Sequence, residues 1–400
     1  MYKGSVIARL VAGLAVLLSC TLLQAQQWTP SAIATESGVD IIPDVSAELR
    51  YDDNIANSHA ATKGSWISVL TPTVKAQLTD GASLYSLTAQ LVHGHYFSST
   101  DDNYLDAAVS ALAKIDLHHS HRLNFSSRFS SGHEARGTGI TEGIGNQLPE
   151  PIDVNTFDIS GYYEYGAMSA AGRIRLQAGY FDKKYQNYEQ LTMFRNYDNQ
   201  KLGAVFYYST GAFTRLLAEV SRDDTRYDVT DLTGSRDSTT MNYRLGLEWQ
   251  PSTLTSAELR AGYQTKDFDD ARRQDFSGLA WQLTFNWAPL SYSGFEVTTG
   301  RKSKDPNTAG DYVRETHYSV NWRHHWTPLF ITRTGFSQTD ERYTGIERDD
   351  KLKSFNIRGF YSLRQNILLN AGVSVSRHSS TVTTMQFDKN VFYFGLQLAL

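Results

Sequence analysis

Runs of alternating polarity recur from about Val45 to the last residue, Leu400, and this period of two restricts the fold more than any other feature. Successive side chains of a strand point to opposite faces, so strict alternation describes strands with one apolar and one polar face. Leu279, Trp281, Leu283, Phe285 and Trp287 share one face of such a segment, with Ala280, Gln282, Thr284 and Asn286 on the other. Tyr243, Leu245, Leu247 and Trp249 alternate in the same way with Asn242, Arg244, Gly246 and Glu248. Ala257, Leu259, Ala261 and Tyr263 alternate with Glu258, Arg260 and Gly262.

The pattern predicts strands near 42–52, 64–78, 82–97, 103–117, 121–132, 154–166, 171–183, 198–208 and 212–225. It continues near 239–250, 255–268, 275–288, 292–303, 312–325, 328–340, 352–363, 366–378 and 388–400, which makes eighteen. Sixteen is the alternative if one pair of segments is divided wrongly. A soluble sandwich also alternates, but segments of ten to fifteen residues are long for one. Long connections at 53–63, 133–153, 184–197, 226–238, 341–351 and 379–387 alternate with short ones such as 167–170, 209–211, 251–254, Thr327 and 364–365. Short periplasmic turns, long outer loops and an even strand count belong to outer-membrane barrels. The expected fold is therefore all-β, a transmembrane antiparallel up-and-down barrel over 42–400, in the outer membrane of a Gram-negative bacterium with both termini periplasmic.

Export is legible at the start of the chain. Lys3 and Arg9 precede an apolar run over 10–23 and then Gln24-Ala25-Gln26, the order of parts in a secretory signal peptide. Residues 1–25 are expected to be removed and 26–41 to form a short periplasmic segment. The competing reading takes Leu17-Leu18-Ser19-Cys20 as a lipid-attachment site on Cys20. Cys20 is the one cysteine, so the mature chain has no disulfide and no thiol chemistry. No later segment approaches the ~20 apolar residues of a spanning helix. A net charge of −4 gives no basic stripe for nucleic acid. With 23 Tyr, 19 Phe and 7 Trp and a negative mean hydropathy, the composition suits a wet lumen inside a lipid-facing skin.

Strand parity names the lumen. Arg173, Arg175, Arg215, Glu219, Arg244, Glu248, Glu258, Arg260, Arg323 and Arg358 are the candidate pore-lining residues, and the same parity adds Arg50, Lys75, Lys114, Arg128, Arg333, Glu48, Asp106, Asp116, Asp158, Glu164 and Glu296. An excess of arginine could guide an anionic or polyhydroxy solute, because guanidinium forks bind carboxylates and hydroxyls bidentately. Ion pairs that stiffen the interior are an equal and compatible reading. Tyr96, Tyr162, Phe181, Tyr207 and Phe360 could offer faces to sugar rings or simply pack. His93 and His95, His118, His119 and His121, and His324 and His325 cluster, but neighbours on a strand point apart, and no metal site or cofactor is expected. No nucleophile-elbow pattern appears, so no catalytic residues are assigned. The loop from Gly132 to Asp153 either folds in to narrow an otherwise wide hole or stays at the surface as a mobile loop.

The last residues, from Tyr393 through Gly395 and Leu398 to Leu400, resemble the C-terminal signal that outer-membrane barrels present to the barrel-assembly machinery, with Leu at the end in place of the more usual Phe. The segment Ile42-Pro43-Asp44-Val45-Ser46-Ala47-Glu48-Leu49-Arg50-Tyr51-Asp52-Asp53-Asn54-Ile55, followed by Thr71-Pro72 and Arg136-Gly137-Thr138-Gly139, resembles a β-barrel porin family found with exopolysaccharide and capsule biosynthesis operons, of the EpsL and VpsM types. The resemblance implies a channel or assembly component in polysaccharide export, with polysaccharide and other export components as partners besides outer-membrane lipid. A general diffusion porin for small solutes is the alternative, and an outer-membrane enzyme the third reading.

Overall fold

The computed structural model describes residues 31–211 and 213–399. The expected signal peptide, Cys20 and Leu400 lie outside the described residues. One antiparallel sheet holds every strand. A two-residue β1 (Ile33–Ala34) folds back on the start of β2, around Gly38 in the left-handed region at φ +79°. The barrel wall runs through β2 (Val39–Asp52), β3 (Ser65–Asp80), β4 (Ser83–Tyr96), β5 (Tyr104–His118), β6 (His121–Glu134) and β7 (Ile152–Tyr165). It continues through β8 (Gly172–Tyr185), β9 (Tyr197–Gly211), β10 (Thr214–Tyr227), β11 (Ser238–Ser252), β12 (Thr255–Phe268) and β13 (Phe276–Leu290). The circuit ends with β14 (Ser293–Lys304), β15 (Val313–His325), β16 (Phe330–Tyr343), β17 (Asp349–Arg364), β18 (Ile367–Ser380) and β19 (Phe387–Ala399). Each strand pairs with its neighbour in sequence, and β19 pairs with β2 through partners such as Phe394 and Leu49. Closing the sheet satisfies the edges that lipid would leave unpaired.

Eighteen strands form the wall, so the count of sixteen is set aside. The barrel begins at Val39 rather than 42. The sequence pattern starts this strand at Ile42, through Pro43, and leaves out Val39, Asp40 and Ile41, which extend the ladder to β3. Pro43 lies beside the last described pair of the β2–β19 ladder, Asp44 and Ala399, and pairs with Val74 on the β3 side. Pro72 acts similarly in β3: the ladder to β4 skips from Leu70 to Thr73, while β2 still pairs across it.

The alternating faces are oriented as the parity predicts. Leu245 is 71 % exposed on the outside and Asn242 3 % exposed within. The outer face of β19 shows Phe392 and Phe394, and its inner face carries Tyr393, Gly395 and Gln397. Aromatic side chains cluster outside near the short-turn end, where Trp287, Phe295 and Trp322 stack in series at 5.8 and 6.2 Å. So large an apolar exterior is stable only against lipid. His324 joins this outer cluster, 4.4 Å from the Trp326 ring, while His118 and His119 meet at a short turn.

Candidate functional site

All ten pore-lining candidates face the lumen, and the structure sorts them into two sectors. In the first, Glu164 receives Arg122 at 2.8 Å, Arg173 at 2.9 Å and Arg175 at 2.7 Å. Glu219 receives Arg260 at 2.6 Å, with Arg244 at 3.9 Å, and Arg260 also reaches Glu258 at 2.7 Å. Arg215 pairs with Glu248 at 3.2 Å. Tyr207, almost wholly buried, sits among Arg173, Arg175 and Arg215 at 5.2 to 5.7 Å from its ring centre, and Arg175 also lies 4.2 Å over Tyr162. The aromatic faces offset part of the desolvation of these cations. Six arginines meet four glutamates here, so the sector keeps a positive balance even with its carboxylates ionised.

The second sector lies on β15, β16 and β17. Arg323 stands directly opposite Arg333, and Arg333 directly opposite Arg358. Arg358 leans toward β19 and β2, reaching Glu48 at 3.1 Å and covering Tyr393 at 4.2 Å. Gly372 makes room for it, because a Cβ there would lie 3.0 Å from the Cβ of Arg358. Glu48 also holds Arg50. Arg333 lies 5.0 Å over Phe360. Neither Arg323 nor Arg333 has an ion-pair or hydrogen-bond partner among the described residues.

The mouth at the long-loop end is crossed by connections that tie to one another. The β6–β7 loop, 135–151, holds Asp102 through Arg136 at 2.5 and 2.7 Å, and that bond, more than burial opposes it, raises the guanidinium's proton affinity. Asn146 donates to the carbonyls of Ala60 and Ala61. Across the mouth, Glu142 accepts from Arg348 at 2.9 Å and from Asn307 at 2.6 Å. Ile140, Leu148 and Ile152 form a small core with Tyr185, Tyr188 and Leu191 beside the β8–β9 connection. The surface-loop reading of 132–153 therefore gives way to a loop packed over the opening.

A second knot forms around 307–310. Arg195 donates to the Asn307 and Thr308 carbonyls and to Asp231 at 3.1 Å. Arg236 reaches the same carboxylate at 3.1 Å, and Arg273 donates to the Ser235 and Gly310 carbonyls and to Asp311. Burial alone would raise Asp231, but the Thr233 amide and these two guanidiniums hold its carboxyl well below the usual range. Arg122 escaped the sequence reading, as did the loop arginines other than Arg136, which entered it only as part of a loop motif. For Arg122, the even parity of β6 was the available signal. The loop residues carry no periodicity, and partners such as Asn307 and Thr308 for Arg195 lie far away in sequence.

The family model described as "Putative beta-barrel porin 2" matches the chain over residues 40–400. Among solved structures it is similar to OccK2 (OpdF) of Pseudomonas aeruginosa, at 12 % identity and TM-score 0.51, covering 90 % of this chain and 98 % of that one. A BenF-like porin of Pseudomonas fluorescens is similar at 12 % identity and TM-score 0.50, covering 91 % and 99 %. At such identity the likeness shows the fold alone. No curated protein matches the sequence. The molecule is a porin-like β-barrel channel of the outer membrane, and the chain belongs to the "Putative beta-barrel porin 2" family.

Proposed function

We propose that this barrel lets small acidic solutes diffuse across the outer membrane, with the long loops facing outward and both termini in the periplasm. The observation that carries the reading is the opposition of Arg323 to Arg333 with no counter-charge on either. Like charges directly opposite on a sheet are destabilising. A passing carboxylate relieves that repulsion, and the fork geometry of two guanidiniums suits it. The surplus positive charge around Tyr207 extends the same preference along the wall, since lumen charge in a low-dielectric tube concentrates counter-ions.

Polysaccharide export, implied by the resemblance of the first strand, has less support. A polymer leaving the barrel meets the 135–151 loop, fastened on one side to Asp102 and on the other to Arg348. Liposome swelling with small monocarboxylates and with neutral sugars of matching size tests the choice. Faster entry of the acids at low salt supports the proposal. Equal entry, together with loss of surface polysaccharide when the gene is deleted, favours export.

A further inference from the structure

The outer surface of β14–β18 turns from apolar to basic toward the long-loop end. Phe336, Phe355 and Val375 face outward in the apolar band. Beyond them, also facing outward by the same alternation, stand Arg301, Arg314, Arg342, Lys351, Lys353 and Arg377. Three carboxylates share this surface. Asp349 lies 3.4 Å from Arg342, Asp340 lies 3.5 Å from Lys351, and Asp388 lies 3.0 Å from Arg377. Six cations against three anions leave a surplus of three.

Register makes the surplus uncomfortable. Arg314 stands directly opposite Arg342, and Lys353 directly opposite Arg377. Like-charged cross-strand pairs cost stability. Arg314 and Lys353 have no ion-pair or hydrogen-bond partner among the described residues, while Arg301 lies over the Trp281 ring at 4.3 Å and donates from its Nε to Thr316. The opposite side of the rim has the reverse character, with Asp182 directly across from Asp198. The basic character is thus confined to one side of the barrel.

We propose that this outer face binds the phosphorylated headgroup of a membrane glycolipid, in the leaflet at the long-loop end. What covers a barrel at the upper margin of its apolar band is the lipid headgroup layer. Phosphate oxygens placed between Arg314 and Arg342, and between Lys353 and Arg377, turn two repulsions into four charge-assisted contacts. The acyl chains of the same lipid then lie along Phe336 and Phe355. Trp281, with Arg301 across its face, marks the border between the two regions.

The test is native mass spectrometry of the full barrel, extracted in mild detergent and titrated with a bis-phosphorylated glycolipid or with the same glycolipid stripped of phosphate. The wild-type barrel should retain the phosphorylated form selectively. With each surface cation contributing at the usual strength, Arg314→Gln/Lys353→Gln should weaken retention roughly thirtyfold. Arg222→Gln/Arg226→Gln, on the opposite side of the rim, should retain the lipid as wild type does. Excess inorganic phosphate should leave the bound glycolipid in place. Equal retention of both lipids, equal retention by the Arg314→Gln/Lys353→Gln barrel, or displacement by inorganic phosphate overturns the proposal. Heat-modifiability on gels checks that each variant is folded, and if the double variant is not, either single substitution gives the same reading with a smaller effect.

Discussion

Gly137 shows how a single position sets the state of the mouth. Its φ of +71° lies in the left-handed region, and a Cβ there would fall 1.8 Å from the Ala56 carbonyl oxygen. Left-handed backbone costs an L-residue about 1–2 kcal/mol before any clash is counted. Gly137→Ala is expected to lift the 135–151 loop from its seat, making it cleavable by protease while the barrel stays folded. Asp231 gives a pH dependence. Its folded carboxyl is depressed, so its contribution is complete above the ordinary value of about 3.9 and is lost as pH falls toward the folded value. Protease resistance of the loops should hold from pH 7 to about pH 5 and fade near pH 3. Asp231→Asn should loosen the loops already at neutral pH. Parity alone placed Arg173, Glu219 and Arg323 in the lumen, because period two needs only local sequence. It was silent on the unions of Arg173 with Glu164 and of Arg323 with Arg333, which depend on register between strands.

At the scale of the element, the wall was almost wholly legible and the loops were not. Strands recur because lipid outside and water inside act on every second residue, and that pressure is written in each segment. The bond between Glu142 and Arg348 joins residues 206 positions apart and leaves no local trace. One boundary fell late, with β2 read from Ile42 where it starts at Val39. The oriented faces give a direct prediction. Leu245→Arg places a cation in the lipid-facing surface, at roughly 2 to 4 kcal/mol if it sits near the midplane. Arg244→Gln, one residue away, changes only the lumen. The first variant should lose folded barrel and the second keep it, as read from heat-modifiability on gels; equal folding of both would sink the assigned faces.

For the whole molecule, net charge is a poor guide to what the channel admits. The chain carries −4 overall, yet the lumen sectors around Tyr207 and Arg333 are positive. Acidic residues such as Asp182, Asp198 and Asp224 stand on the outside, where lipid headgroups and solvent screen them from the lumen. Ion selectivity should follow the inner surface. The most direct measurement is the reversal potential of single barrels in a planar bilayer under a potassium chloride gradient. Concentrations should stay well below 0.1 M, where the Debye length exceeds about 10 Å. Wild type should select chloride, and Arg323→Gln/Arg333→Gln should move the reversal potential toward zero with the barrel still folded. A wild-type channel that selects potassium, or a double variant whose reversal potential does not move, would contradict the assignment of these arginines to anion passage.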